Sequence, residues 1–225
     1  MSSDTWLVNH RNQSLPFYLW DQGFDVWLGN VRGNKHSRRH KNLDPDQGQF
    51  WRWTFDEMGR YDVNSMVEYV TKVTKRRKVN YIGHSQGCVV LFSSVIQNPD
   101  VGRKINKFFA LAPAGYIASM TSPIKYLSPL IETMYMTKSL FSSGSEFLPS
   151  FNASSSWISR FCSNYPALCA NPLYTFAGKS RYGNFNETRL PVYLAHDPSG
   201  TSLQNVSLQK LLLRLRYLLQ MFFKA

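Results

Sequence analysis

Apolar and polar positions along this chain fall into short blocks with two different periods. Leu15 to Gln22 has helical spacing behind Ser14, with Pro16 in the first turn and Gly23 directly after. That predicts a helix with Ser14 as N-cap and a stop at the glycine. Asp25-Val26-Trp27-Leu28 is a short apolar run that predicts a buried strand. It leads into Gly29 to Asn34, a turn rich in Gly and Asn, and residues 35 to 50 are polar and basic, hence loop. Thr54 to Tyr61 and Val63 to Val73 predict two helices, with Thr54 and Asp62 as caps. Asp56 and Glu57 fall in the first turn, where negative charge suits the helix dipole. Val79 to Ile82 predicts a strand, Gly83 to Gly87 a turn, and Cys88 to Ile96 a helix behind it. Lys107 to Ala112 predicts a third buried strand, stopped by Pro113. Strands and helices that alternate in this way predict an α/β unit with a parallel sheet.

The texture changes after Pro113. Residues 116 to 185 are rich in Ser, Met, Tyr and Phe, without regular alternation, and predict a mostly helical insertion over the strand ends. Arg189 to Ala195 is read as strand or connector. Leu208 to Phe223 is leucine-rich with Lys210, Arg214 and Arg216 inside it. The domain reading is residues 1–115 as a partial core, 116–190 as a helical cap or lid, and 191–225 as the cap end with an atypical basic tail. No internal repeat is apparent.

Composition narrows the classes. Hydrophobic residues make up 43% of the 225 positions and aromatics 15%, enough for a packed core. The formal net charge is +12, much of it in two clusters, Lys35 to Lys41 and Lys72 to Lys78. Neither cluster has the aromatic interleaving of a nucleic-acid groove, so both read as solvated surface and no nucleic-acid partner is expected. The three cysteines, Cys88, Cys162 and Cys169, form no C-x-x-C pair, so no metal site is expected. Cys162 and Cys169 flank a turn-rich stretch, and two readings stand, a disulfide or two packed thiols. Sequons occur at Asn12, Asn152, Asn186 and Asn205. The first residues show no signal peptide, and no run of about 18 apolar residues is present.

The chemistry concentrates at Gly83-His84-Ser85-Gln86-Gly87, a G-x-S-x-G directly after an apolar strand and directly before a helix. This is the pattern of a nucleophile elbow. The serine must sit on a strained turn so that its hydroxyl projects, and flanking glycines allow close backbone approach. Ser85 is the candidate nucleophile, and the N–H of Gln86 the candidate oxyanion donor. His84 is expected to point away from the hydroxyl and to be structural. The competing reading is a turn serine that only caps the following helix.

With these residues in view, the chain resembles the acid lipase family of α/β-hydrolases, which includes gastric lipase, lysosomal acid lipase and fungal sterol esterases. Gly-His-Ser-Gln-Gly is similar to that family's elbow. So are Ser14 to Phe17 with Gly23 to Asn30 and Arg32 to Asn34, Phe55 to Met58 with Tyr61-Asp62, Ala110 to Pro113, and His196 to Ser202. The resemblance runs in order over about residues 4 to 205. It implies the α/β-hydrolase fold, a partial parallel sheet with a mostly helical cap, and cleavage of acylglycerols or sterol esters through a serine acyl-enzyme. No cofactor is implied. A lipid ester is the implied substrate, and a membrane or lipid-droplet surface the implied setting. Compartment is left open between lysosomal, secreted and membrane-associated. Met120, Met134 and Met136 line an acyl pocket or form ordinary cap core, the two readings standing equally.

Family order places an acid and then a histidine after the serine. Only His196 follows Ser85, with Asp100, Glu132, Glu146 and Glu187 between. The resemblance matches His196 to a residue that is not the base. It places the acid, the base and a His-Gly oxyanion loop in segments without a counterpart here, so neither acid nor base is identified. The expectation is a chain with little or no turnover as written. The competing class is a non-catalytic module that binds lipid or a membrane surface.

Overall fold

The computed structural model describes residues 2–114, 122–123, 126, 129–130, 133–134, 136–137, 145–147, 155–179, 182–183, 185–196 and 199–207. The chain divides into two compact units, one of Met1–Arg38, Thr121–Ile131 and Glu146–Thr201, the other of Arg39–Met120, Glu132–Ser145 and Ser202–Ala225. The leucine-rich tail reading at 208–225 and the sequon at Asn152 lie outside the described residues.

In the first unit, α1 spans Leu15–Asp21, and Gly23 follows at φ +82°, a left-handed position suited to glycine. Ser14 occupies the N-cap position as expected, but its hydroxyl makes no capping bond and is buried without a partner. The buried strand expected at Asp25 to Leu28 does not form. Those residues carry no regular secondary structure, and Phe24, Trp27 and Leu28 are 52%, 41% and 38% exposed. An apolar run becomes a strand only where a neighbour supplies hydrogen bonds, and none does so among the described residues.

Later in this unit, α6 (Ser155–Asn164) and α7 (Pro166–Ala177) are joined by a Cys162–Cys169 disulfide with Cα atoms 5.7 Å apart. That resolves the two readings of these cysteines in favour of the bridge. Residues 190–196, read as strand or connector, are helix α8 (Leu190–His196). Pro191 sits in its first turn, and Asn186 caps the preceding turn by accepting from the Thr188 N–H, so a helix-start signal was present there. Leu190 is fully buried, Arg189 donates to the Val8 carbonyl, and Tyr193 hydrogen-bonds Asn9.

In the second unit, Thr54 opens a capping box. Its N–H donates to Glu57 Oε2 at 2.7 Å, and its Oγ1 accepts from the Asp56 N–H at 3.2 Å. Two helices were expected from here; the observed element is continuous. α2 (Phe55–Glu57) widens into a π-turn over Met58–Val63 and continues as α3 (Asn64–Thr74). Asp62 therefore lies inside the rod and not at a helix start. Met58 and Val63 are each 1% exposed, which shows which face the rod buries.

β1 (Val79–His84) and β2 (Ile105–Leu111) pair in parallel, Tyr81 opposite Phe108 and Gly83 opposite Ala110. α4 (Gln86–Gln97) and α5 (Pro99–Arg103) make the crossover, with the Asn98 side chain capping α5. Phe108 packs edge-on against Phe92 of α4 at 5.4 Å. Phe109 and Leu111 stay 48% and 40% exposed. β2 is thus a strand as expected but not a buried one, because α4 covers only one face. Two more strands of two residues each are β3 (Glu146–Phe147) and β4 (Thr201–Ser202).

Candidate active site

The elbow is built from the end of β1, the start of α4 and the end of β2, all in the second unit. Ser85 stands between strand and helix at φ 52°, ψ −116°, outside every region a non-glycine residue normally occupies. Such a conformation costs about 1–3 kcal/mol and persists only where its surroundings enforce it. The Ser85 N–H donates to the Leu111 carbonyl at 2.9 Å. Its carbonyl accepts from the Cys88 N–H at 3.1 Å and the Ala114 N–H at 3.5 Å. The residue is half-buried.

The two elbow glycines do different jobs. A Cβ on Gly83 would lie 3.0 Å from Cys88 N and 3.0 Å from the Gly87 carbonyl carbon, so the turn closes only over a bare backbone. A Cβ on Gly87 would meet nothing within 4 Å. The expectation of close approach at both glycines thus holds at Gly83 alone. Gly83→Ala should destabilise the second unit by about 1–3 kcal/mol. Gly87→Ala should be neutral or stabilising by up to about 1 kcal/mol, since alanine is the better helix former. Urea titration of the two variants checks the contrast.

Gln86 is the first residue of α4, so its N–H is among those that a helix leaves without an internal partner. The helix dipole adds a field that favours negative charge at this point. His84 is exposed on the strand end. The sequence reading passed over two further side chains. Tyr81 donates its hydroxyl to the Gly87 carbonyl at 3.2 Å, and the Cys88 thiol donates to the Gly83 carbonyl at 3.1 Å. Burial pushes the Tyr81 phenol up to about 12 and also raises the Cys88 thiol. The i, i+2 spacing of Tyr81 and Gly83 was the signal available for the tyrosine.

The acids that follow Ser85 in sequence have other partners. Asp100 pairs with Arg103, Glu146 with Arg38, and Glu187 with Tyr174. Glu132 lies outside the described residues. In His196, Nδ1 lies 2.9 Å from the Val192 carbonyl of its own helix. That is the nitrogen an orienting carboxylate would use in a triad. Met134 is half-buried, Met136 is 56% exposed, and Met120 lies outside the described residues. No cluster of three metal-ligating side chains occurs among the described residues. Asn12 is exposed and Asn186 half-buried, but Asn205 is 1% exposed, so that sequon is closed to modification once folded.

A polar network also organises the Gly-Asn turn of the first unit. Asn30 Oδ1 accepts from the Ser3 N–H at 2.9 Å and from Asn34 Nδ2 at 3.1 Å, and Asn30 Nδ2 donates to Ser3 Oγ. Beside it, Asp4 meets Lys35 and His36. Burial acts to raise the Asp4 pKa, but the hydrogen bonds and charges of Lys35 and His36 outweigh it, and the net shift is downward. A carboxyl lowered in the folded state stabilises above its unfolded value, near ~4, and loses that contribution as pH falls through the lowered value. Wild type should therefore exceed Asp4→Asn in stability at pH 6, with the gap closing below about pH 4. Thermal melts across that range check the sign.

The family model for the alpha/beta hydrolase fold matches residues 7–211. The chain is 40% identical over 210 residues to lipase lipl-5 of Caenorhabditis elegans, covering 91% of this chain and 52% of that protein. It is 39% identical over 207 residues to human lysosomal acid lipase/cholesteryl ester hydrolase, covering 91% and 51%. To mouse gastric triacylglycerol lipase it is 37% identical over 207 residues, with the same coverage. It spans about half the length of the relatives it matches. With a serine elbow between parallel strand and helix, and a family match over nearly its whole length, the chain belongs to the alpha/beta hydrolase fold family and groups there with the acid lipases.

Proposed function

We propose that this chain carries the nucleophile of a lipid ester hydrolase and that, alone, it turns over little or no substrate. The observation that carries the reading is the backbone of Ser85 at φ 52°, ψ −116°, held at the end of β1 by Leu111 and Cys88. In the complete reaction, Ser85 Oγ bonds to the ester carbonyl carbon while its proton passes to a base. The tetrahedral oxygen accepts a hydrogen bond from the Gln86 N–H, the base passes the proton to the alcohol oxygen as its bond to carbon breaks, and water then cleaves the acyl–Oγ bond to release the acid and restore the serine hydroxyl. The substrate class, acylglycerol or sterol ester, comes from what the relatives' names say they act on and from the sequence resemblance. A base and an orienting acid are not identified among this chain's residues.

The test is a fluorophosphonate probe, which needs an activated serine. A longer protein that joins these residues to the remaining segments of a relative should label at Ser85 and lose labelling in Ser85→Ala. The chain alone should label at least about 10³-fold more slowly. An unlabelled full-length form would refute the nucleophile role.

A second reading, a lipid-surface binding fragment, is favoured by exposed aromatics on and after α1. Tyr18, Trp20 and Phe24 are 58%, 61% and 52% exposed. Interfacial binding uses such side chains. No helix of the described residues is long and apolar enough to cross a membrane. Cosedimentation with phosphatidylcholine vesicles, lost in Trp20→Ala, would support this reading, and its absence would remove it.

A further inference from the structure

The strain at Ser85 needs a holder, and the bonds made by its own backbone are only part of one. Tyr81 and Gly83 lie two residues apart on β1, so their side-chain positions share the face that meets α4. At Gly83 that face is empty, and Cys88 N and the Gly87 carbonyl group come within 3.0–3.1 Å of where a Cβ would stand. At Tyr81 the face is filled by a ring whose hydroxyl reaches the Gly87 carbonyl at 3.2 Å. The ring is braced in turn. It meets Phe108, its register partner on β2, edge-on at 5.8 Å.

We propose that Tyr81 is a positioning residue for Ser85: its hydroxyl clamps the first turn of α4 onto β1 and so keeps the strained serine in place. The clamp bears on Gly87, two residues past the serine and one past the oxyanion donor candidate Gln86. The Ser85–Leu111 bond ties the elbow to β2, and the Tyr81 hydroxyl, beside the Cys88 thiol on the Gly83 carbonyl, ties it to β1. The Gly87 carbonyl has a second lone pair for its own helical N–H partner. Losing the phenol hydroxyl therefore leaves α4 intact and removes one of its ties to β1. The phenol, pushed up to about 12, remains a donor at every pH at which the protein is handled. The functional half of this proposal rests on Ser85 being the nucleophile; the clamp itself does not.

The test is Tyr81→Phe in the full chain, which keeps the ring on Phe108 and removes one oxygen. Two readouts are taken. In amide hydrogen exchange, the Ser85 and Cys88 N–H groups, both hydrogen-bonded at the elbow, should exchange about fivefold faster, the effect of one net hydrogen bond. Amides of α3 should change by less than about twofold. In serine-labelled carbon NMR, the Ser85 Cα resonance, assigned by its loss in Ser85→Ala, should move toward the random-coil value. Unchanged elbow exchange with an unmoved resonance would overturn the proposal. So would equal acceleration throughout the unit, or outright loss of the fold, since each makes the tyrosine a general structural residue. A full-length form whose Ser85 resists phosphonylation would remove the nucleophile reading while leaving the exchange result standing.

Discussion

Purified chain incubated with a short p-nitrophenyl ester releases nitrophenol no faster than its Ser85→Ala variant. The expected deficit against a complete acid lipase is about 10⁴-fold or more, the effect of removing members of a hydrolytic triad. The physical reason is the serine proton. A serine hydroxyl is a weak nucleophile at neutral pH until a neighbouring base takes its proton as the carbonyl is attacked. After Ser85 the chain offers only His196 as an imidazole. Its Nδ1 faces a carbonyl of its own helix, and the described acids Asp100, Glu146 and Glu187 are engaged with Arg103, Arg38 and Tyr174. The elbow could still orient an ester and steady an oxyanion through Gln86. Such residual assistance is small beside the lost base. Turnover that disappears in Ser85→Ala would show that a base reaches this serine, and the inactivity would then be abandoned.

The elbow was legible in the sequence because its constraint is local. Gly83 has to be glycine for a reason confined to the six residues 83–88, and the flanking apolar run and helix give the turn its context. The cap at Thr54 was legible on the same terms, while the parallel sheet followed from the alternation of strands at 79–82 and 107–112 with the helix between them. What failed depended on partners far along the chain. Trp27 and Leu28 have the composition of a strand, but a ladder is a property of two segments, and the pattern of one segment cannot report the other. Phe109 reads as core in any window, yet its burial depends on what covers the second face of the sheet. Asp62 looked like a cap because the break in apolar period at the π-turn imitates the gap between two helices. Tyr81 was missed for a different reason. Its only signal was the i, i+2 spacing to Gly83, which does not show that the hydroxyl reaches a backbone carbonyl on the next helix.

Gly59→Ala should be among the most destabilising single substitutions in the second unit, at about 3 kcal/mol. Gly59 lies in the π-turn, buried where the rod crosses α4. A Cβ built there would stand 2.8 Å from Ser94 N, 3.0 Å from the Val90 carbonyl oxygen and 3.0 Å from Ser93 Cβ. Two of the three are backbone atoms of a helix and cannot step aside as a side chain tip can. Relief requires the rod to lift from α4, which opens the packing around Met58, Val63, Val90 and Leu91, each no more than 2% exposed. The usual gain of alanine over glycine in a helix, about 1 kcal/mol, is too small to offset this. Lifting the rod also loosens its polar tie to α4, in which Ser93 Oγ donates to Asp56 Oδ1 at 2.7 Å. Equilibrium unfolding in urea checks the size, with Gly87→Ala as the comparison in which a new methyl meets open space. Equal stability of the two variants would mean that rod and helix do not approach as closely as Gly59 requires.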